Sequence, residues 1–202
     1  IKEIVEVPQK GLPIEGKLIQ LAAWMRETYG TTMNQALQTV MPVKQTVRKT
    51  AQKIEETVLS DKNWEFVTLN DAQQALVDAF AENYQNEVRK TYLLHGITGS
   101  GKTEVYIQCI KEVIRDGGQA IVLIPEISLT YQTLARFRKH FGTRVAFVNS
   151  KQSKGEKYEQ FRRAKEGEAD VVIGPRSALF TPFPNLKLIV IDEEHDAAFK
   201  SD

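Results

Sequence analysis

Cysteine is almost absent from this sequence. Its 202 residues include one, Cys109. A lone thiol closes no internal disulfide, and no Cys/His pair stands at zinc-ligand spacing, so neither a disulfide scaffold nor a zinc module is encoded here. This usage fits a reducing compartment and points to the cytoplasm. Long apolar runs are missing too. The longest, Ala120–Pro125, has the length of a strand and is far too short to span a bilayer, and no secretory leader is visible. Charge of one sign is not in excess: the formal net charge is +1. Any nucleic-acid contact must therefore come from local clusters rather than a bulk field. The chain opens on Ile1 and stops at Asp202, shortly after an acidic box. A piece of a longer protein is the expectation.

What is present is ordinary globular composition, with 42% hydrophobic and 26% charged residues, enough for one domain with a small appendage. Residues 1–60 are expected to form a helical segment. Leu18, Leu21, Ala22, Met25 and Tyr29 fall at helical spacing, which predicts a helix over Glu15–Thr28 that Gly30 stops. Thr32 or Asn34 would cap a second helix through Val40, ended by Pro42. A third stretch, Val43–Val58, opens with Lys44, Arg48, Lys49 and Lys53; a solvated helix or linker is the simpler reading, a DNA-facing surface the sharper one.

From residue 61 on, the pattern changes. Leu69–Asn83 is expected to be helical with Asn70 or Asp71 as cap. Strands are expected at Thr91–His95, Ala120–Ile124, Arg144–Val148, Asp170–Ile173 and Leu186–Ile191. Between them, helices are expected at Lys102–Arg115, closed by Gly117-Gly118, at Ser128–Phe141 and at Ser153–Glu166. The Leu-Ile-Val-Ile run of the last strand suggests burial on both faces. Alternating strands and helices of this length predict an α/β fold, a parallel sheet with helices on both faces, with ligands beyond the carboxyl ends of the strands.

Gly96-Ile97-Thr98-Gly99-Ser100-Gly101-Lys102-Thr103 matches the phosphate-loop pattern completely. Glycines there let backbone N–H groups approach phosphate oxygens, and the helix that follows adds its dipole. Lys102 would reach the β- and γ-phosphates of ATP, and Thr103 would hold Mg2+ through its hydroxyl. Asp192-Glu193-Glu194-His195 follows the last strand, so Asp192 would arrive beside the loop and act on Mg2+, with Glu193 polarising the attacking water. Lys102, Asp192 and Glu193 are the candidate catalytic residues, and His195 the residue that would report nucleotide state. His95 and His140 are expected to be structural.

At these residues the sequence resembles the superfamily 2 helicases, and within them the primosomal replication-restart helicases. GITGSGKTEVY at 96–106 resembles their phosphate loop, PEISLT at 125–130 their motif Ia, GPRSALFTP at 174–182 motif Ib, and IDEEHDAAFK at 191–200 the acidic box. LNDAQ at 69–73 resembles the element before the first strand, and the resemblance implies that Gln73 contacts the adenine edge. The fold implied is the RecA-like lobe, here lobe one over residues 61–202. The activity implied for the complete protein is ATP-driven 3′-to-5′ unwinding of forked or single-stranded DNA, with replication-restart proteins and single-strand binding protein as partners. Ser128, Thr130, Arg176 and Ser177 would contact strand phosphates.

Leu18–Met41 resembles, more weakly, the end of the family's first DNA-binding domain. Two departures accompany the resemblance. Between Pro42 and Leu69 the family carries a winged-helix domain that fewer than about thirty residues cannot hold. The second motor lobe, with its arginine finger and the module that would bind Zn2+, would lie beyond Asp202. Such a fragment is expected to bind ATP and to hydrolyse it poorly. A non-catalytic DNA-binding or regulatory fragment is the competing expectation. A small-molecule kinase or GTPase is a third, from which preference for adenine would separate it.

Overall fold

The structure is a computed structural model, and it describes residues 16–41 and 68–199. The basic stretch 43–58 therefore lies outside the described residues. Two helices come first, α1 (Gly16–Tyr29) and α2 (Met33–Val40). Thr32 is the cap of α2: its hydroxyl accepts from the Gln35 N–H while the Gln35 side chain accepts from the Thr32 N–H. This reciprocal pair satisfies two N–H groups that the first turn leaves without helical partners. Ala22, Ala36 and Val40 are buried between the two helices, and Phe180 of the main body packs against the same cluster.

The main body begins with α3 (Asp71–Gln85), capped by Asn70 through the same kind of box with Gln73. It continues through α4 (Lys102–Arg115), β1 (Gln119–Leu123), α5 (Tyr131–Phe141), β2 (Val145–Phe147), α6 (Lys154–Lys165), β3 (Val171–Gly174) and β4 (Leu186–Ile191). The four strands form one parallel sheet in the order β2-β3-β1-β4. Parallel neighbours need crossovers, and helices supply them, so both faces of the sheet are covered. The alternation along β1 shows it: Ala120 and Val122 face a core with Tyr106, Ile107, Ile110 and Phe137 from α4 and α5, while Ile121 and Leu123 face Phe161 and Ala164 of α6. Ile107, Ile110 and Phe137 have no solvent exposure, which stabilises the fold by about 1.5–3 kcal/mol each. The Cys109 thiol, on α4, is pushed up to about 12 by burial.

Three expectations are corrected. Segment 91–95 forms no strand, and Leu93 is 78% exposed. An apolar run becomes a strand only where a neighbour completes its hydrogen-bond ladder, and among the described residues the sheet ends at β4, which pairs with β1 alone. Tyr92 of this segment rests instead against Phe80 of α3. Secondly, β4 is not buried on both faces. Leu188 and Val190 pack on the core, but Ile189 and Ile191 are exposed, because β4 is the sheet edge and α6 covers only its neighbours. Thirdly, α5 starts at Tyr131 rather than at Ser128. Residues Glu126–Ser128 form a 3-10 turn, and the Thr130 hydroxyl accepts from the Thr133 N–H to cap the helix proper. The remaining elements fall within a residue or two of expectation. Among the described residues no helix is long and apolar enough to cross a membrane.

Candidate nucleotide site

The carboxyl ends of β1, β3 and β4 are followed by Ser128 and Thr130, by Arg176 and Ser177, and by Asp192–His195. The loop at 96–103 leads into α4, and two of its glycines lie in the left-handed region, Gly99 at φ 80° and Gly101 at φ 82°. A side chain is strained at such angles. A Cβ at Gly96 would stand 2.6 Å from Ser100 Oγ, so that hydroxyl would have to turn away. The loop leads into the positive end of the α4 dipole. Lys102 Nζ folds against the loop, donating to the Gly96 carbonyl at 2.6 Å and the Ile97 carbonyl at 3.0 Å.

Gln73 enters the site from α3. Its Oε1 accepts from the Asn70 N–H at 2.9 Å and its Nε2 donates to the Ser100 carbonyl at 2.9 Å. The helix cap and the loop are held by one amide. One N–H and one lone pair of that amide are left over.

The acidic box follows β4. The Asp192 N–H donates to the Leu123 carbonyl at 2.9 Å, which fixes the turn to the end of β1. Asp192 Oδ2 accepts from the Tyr106 hydroxyl at 2.9 Å and Oδ1 from the Glu193 N–H at 3.1 Å. Tyr106 stands one helical turn beyond Thr103 on α4, hence on the same face of that helix. Burial beside the Asp192 carboxylate pushes the Tyr106 phenol far above its ordinary value, so it is a permanent donor. Asp192 is therefore tied by one side chain to the helix that carries Thr103.

Glu193 adopts φ 53°, unusual for a residue with a Cβ. Its Oε2 accepts from the Ser128 hydroxyl at 2.9 Å. His195 is exposed, its Nδ1 3.4 Å from Glu194 Oε2. Of the residues expected to touch DNA, Ser128 is thus engaged with Glu193, Thr130 caps α5, and Arg176 and Ser177 lie in the 3-10 turn Arg176–Phe180 after β3. Arg176 is exposed, Ser177 half-buried. Glu126, in the turn before Ser128, accepts from the Ser150 N–H at 2.8 Å and from its hydroxyl, tying the ends of β1 and β2 together. His140 is buried beside Glu104 at 3.5 Å, away from the strand ends.

Two elements of the site were not legible beforehand: Tyr106, and the bond from Ser128 to Glu193. The only available signal was that Tyr106 follows Thr103 by three positions on a helix, hence on the same face. The donor set suits a magnesium nucleotide: a glycine loop leading into a helix N-terminus, an ammonium folded against the loop carbonyls, and a carboxylate tied by Tyr106 to the helix that carries the Thr103 hydroxyl.

Comparison with known proteins agrees with this arrangement. Residues 66–202 match the family described as "Type III restriction enzyme, res subunit". The chain is 47% identical over 141 residues to Replication restart protein PriA of Bacillus subtilis, a stretch of 70% of this chain and 18% of that protein. It is 55% identical over 108 residues to the protein of that name from Synechocystis, 54% of this chain and 13% of the relative. With the one from Rickettsia felis it shares 34% over 206 residues, all of this chain and 30% of the relative. The chain thus spans less than a third of the length of these relatives. A parallel sheet with helices on both faces, a glycine loop opening α4 and an acidic turn after β4 make the body a RecA-like α/β lobe, and the chain belongs to the type III restriction enzyme res-subunit family, within which its sequence matches the PriA replication restart proteins.

Proposed function

We propose that this chain is the ATP-binding first lobe of a DNA helicase that works in replication restart, preceded by a helical remnant of its DNA-binding region. Residues 61–202 form the lobe and residues 1–60 the remnant with its linker. The observation that carries the proposal is the convergence of loop and box: Tyr106, on the helix that the loop opens, donates to Asp192 at 2.9 Å across 86 residues of sequence.

In this reading residues 96–103 wrap the phosphates, Lys102 exchanges its loop carbonyls for phosphate oxygens, and Thr103 and Asp192 hold Mg2+ directly or through water. The ion, when bound, neutralises charge that develops on the phosphates. Glu193 orients and polarises the attacking water. The free N–H and lone pair of Gln73 match the N7 and N6 edge of adenine, which favours ATP over GTP. Ser128, Thr130, Arg176 and Ser177 face single-stranded or forked DNA through its phosphates, and His195 links nucleotide state to that surface. For the complete protein the reading implies 3′-to-5′ unwinding in the cytoplasm, together with replication-restart proteins and single-strand binding protein. An arginine reaching the site from a second lobe would stabilise the transition state and speed turnover.

The test is titration of a fluorescent ATP analogue with Mg2+ into the chain and into Lys102→Ala. Expected is saturable binding by the first, at least tenfold weaker in the second, displaced by ATP far better than by GTP. Equal binding by both would refute the site. Binding with no turnover even in the two-lobed protein would favour a non-catalytic DNA-binding or regulatory lobe.

A further inference from the structure

The nucleotide reading assigns Tyr106 no part, yet this residue occupies the centre of the site. Its ring is 7% exposed and lies against Phe137 with centroids 6.1 Å apart and planes at 24°, and Phe137 in turn lies against Phe141. An aromatic backing of this kind leaves the phenol little freedom to move. The hydroxyl has one proton, and it goes to Asp192 Oδ2. Thr103, the last residue of the phosphate loop, lies one turn earlier on the same face of α4. The helix that carries Thr103 is therefore tied, through a phenol anchored in the core, to the first residue of the acidic box. The other carboxylate oxygen, Oδ1, is held by the Glu193 N–H. Both Asp192 oxygens are oriented, and each keeps a lone pair for a further contact.

A buried tyrosine commonly finds a partner for its hydroxyl merely to avoid the cost of burying it unbonded. Here the partner is specific. The phenol bonds Asp192 from the helix face that also carries Thr103, and these are the two residues whose spacing a Mg2+ ion must find right. We propose that Tyr106 is a positioning residue for the metal: it holds Asp192 at a fixed offset from Thr103, so that the loop and the box present a ready-made pair of oxygens to the Mg2+ that accompanies the nucleotide. The inference rests on the nucleotide reading above and adds a residue to it. Tyr106 contacts neither nucleotide nor ion, so its effect is confined to the part of binding that the metal contributes.

The test uses this chain and Tyr106→Phe, which removes one oxygen and keeps the ring. Affinity for a fluorescent ATP analogue is measured with Mg2+ and with a chelator, and half-saturation by Mn2+ in the presence of nucleotide is read by electron paramagnetic resonance. Expected is metal-free affinity within twofold of the parent, a loss of about tenfold in the Mg2+-dependent gain, and a matching rise in the Mn2+ needed. Asp192→Asn should lose the same gain, and the double variant little more, because residues acting through one another are not additive. A tyrosine that serves packing alone would weaken both conditions equally or neither, with losses adding in the double variant, and either result overturns the proposal. Should Tyr106→Phe fold poorly by circular dichroism, the Mn2+ comparison of Asp192→Asn with the parent decides: unchanged half-saturation overturns the proposal, since Asp192 is then no metal group for Tyr106 to position. If the parent binds nucleotide in neither condition, the nucleotide reading fails as well. If the parent shows the Mg2+ gain and Tyr106→Phe keeps it, this inference alone fails.

Discussion

Replacing Gln73 by alanine separates what this side chain holds from what it would recognise. Two hydrogen bonds are lost, from the Asn70 N–H and to the Ser100 carbonyl, both at 2.9 Å. Each neutral bond contributes about 0.5–1.5 kcal/mol net. Water can reach both freed groups, which argues for the lower end, and alanine's better helix propensity returns a few tenths of a kcal/mol. The net cost is about 1 kcal/mol, or about 2–4 °C in Tm for a domain of this size. The loop loses more than stability. The Gln73 amide lies where a Gly101 Cβ would be 2.6 Å away, so it walls the left-handed glycine that starts α4. Without that wall the loop must be ordered by the ligand, and 1 kcal/mol corresponds to about fivefold in affinity. Calorimetric melting and competition titrations should show the Tm shift and a fall of this size for both ATP and GTP, with ATP losing additionally through its base. Gln73→Glu keeps the acceptor for the Asn70 N–H but loses the donor to Ser100, so it should retain most of the Tm and still lose affinity. An unchanged Tm together with unchanged GTP affinity in Gln73→Ala would refute the anchoring argument.

Two further outcomes follow from the interior. Gly174→Ala should destabilise the fold by about 1–3 kcal/mol in urea unfolding, because the new Cβ would stand 2.6 Å from the Val148 carbonyl, a backbone atom that cannot yield cheaply; wild-type stability in this variant would contradict the packing at the β2–β3 ends. His140 is held below its ordinary 6.5, first by burial, then by Lys111, with Lys139 and Arg136 acting the same way and Glu104 opposing them. The unfolded chain therefore takes up the proton first, so this contribution to stability is intact above about pH 7 and is lost as pH falls through 6.5 towards the folded value. Unfolding at pH 8 and at pH 5.5 should show a smaller loss in His140→Gln than in the parent, and parallel behaviour would count against it.

The pattern of the loop at 96–103 was legible in sequence because it is local: the glycines, Lys102 and Thr103 occupy fixed offsets along eight residues. Most helix starts were legible for the same reason, since a cap and its partner are three residues apart, as with Thr32 and Gln35; α5 was misread because a 3-10 turn at Glu126–Ser128 precedes its Thr130 cap. Segment 91–95 was misread because a strand is a relation between segments, and apolar composition carries no information about whether a neighbour is at hand. The burial of β4 was misread likewise: Leu-Ile-Val-Ile suits a central strand, but position within the order β2-β3-β1-β4 decides what covers each face. The bonds Tyr106 to Asp192 and Ser128 to Glu193 span 86 and 65 residues, and only the parallel register of β1 and β4 brings them together. Residues expected by resemblance to contact DNA turned out to have internal duties, Thr130 in a cap and Ser128 at the acidic box.

The left-handed backbone of Glu193, at φ 53°, carries an implication for how this lobe tolerates change. Glycine or asparagine would occupy that conformation with less strain, by about 1 kcal/mol. Optimisation for thermal robustness alone would then drift away from glutamate at this position, trading the carboxylate for a relaxed turn. In the reading proposed above, an acid where the main chain disfavours it marks the spot where durability is subordinated to work, and a library of variants sorted by melting temperature should discard the very residue that a library sorted by turnover keeps.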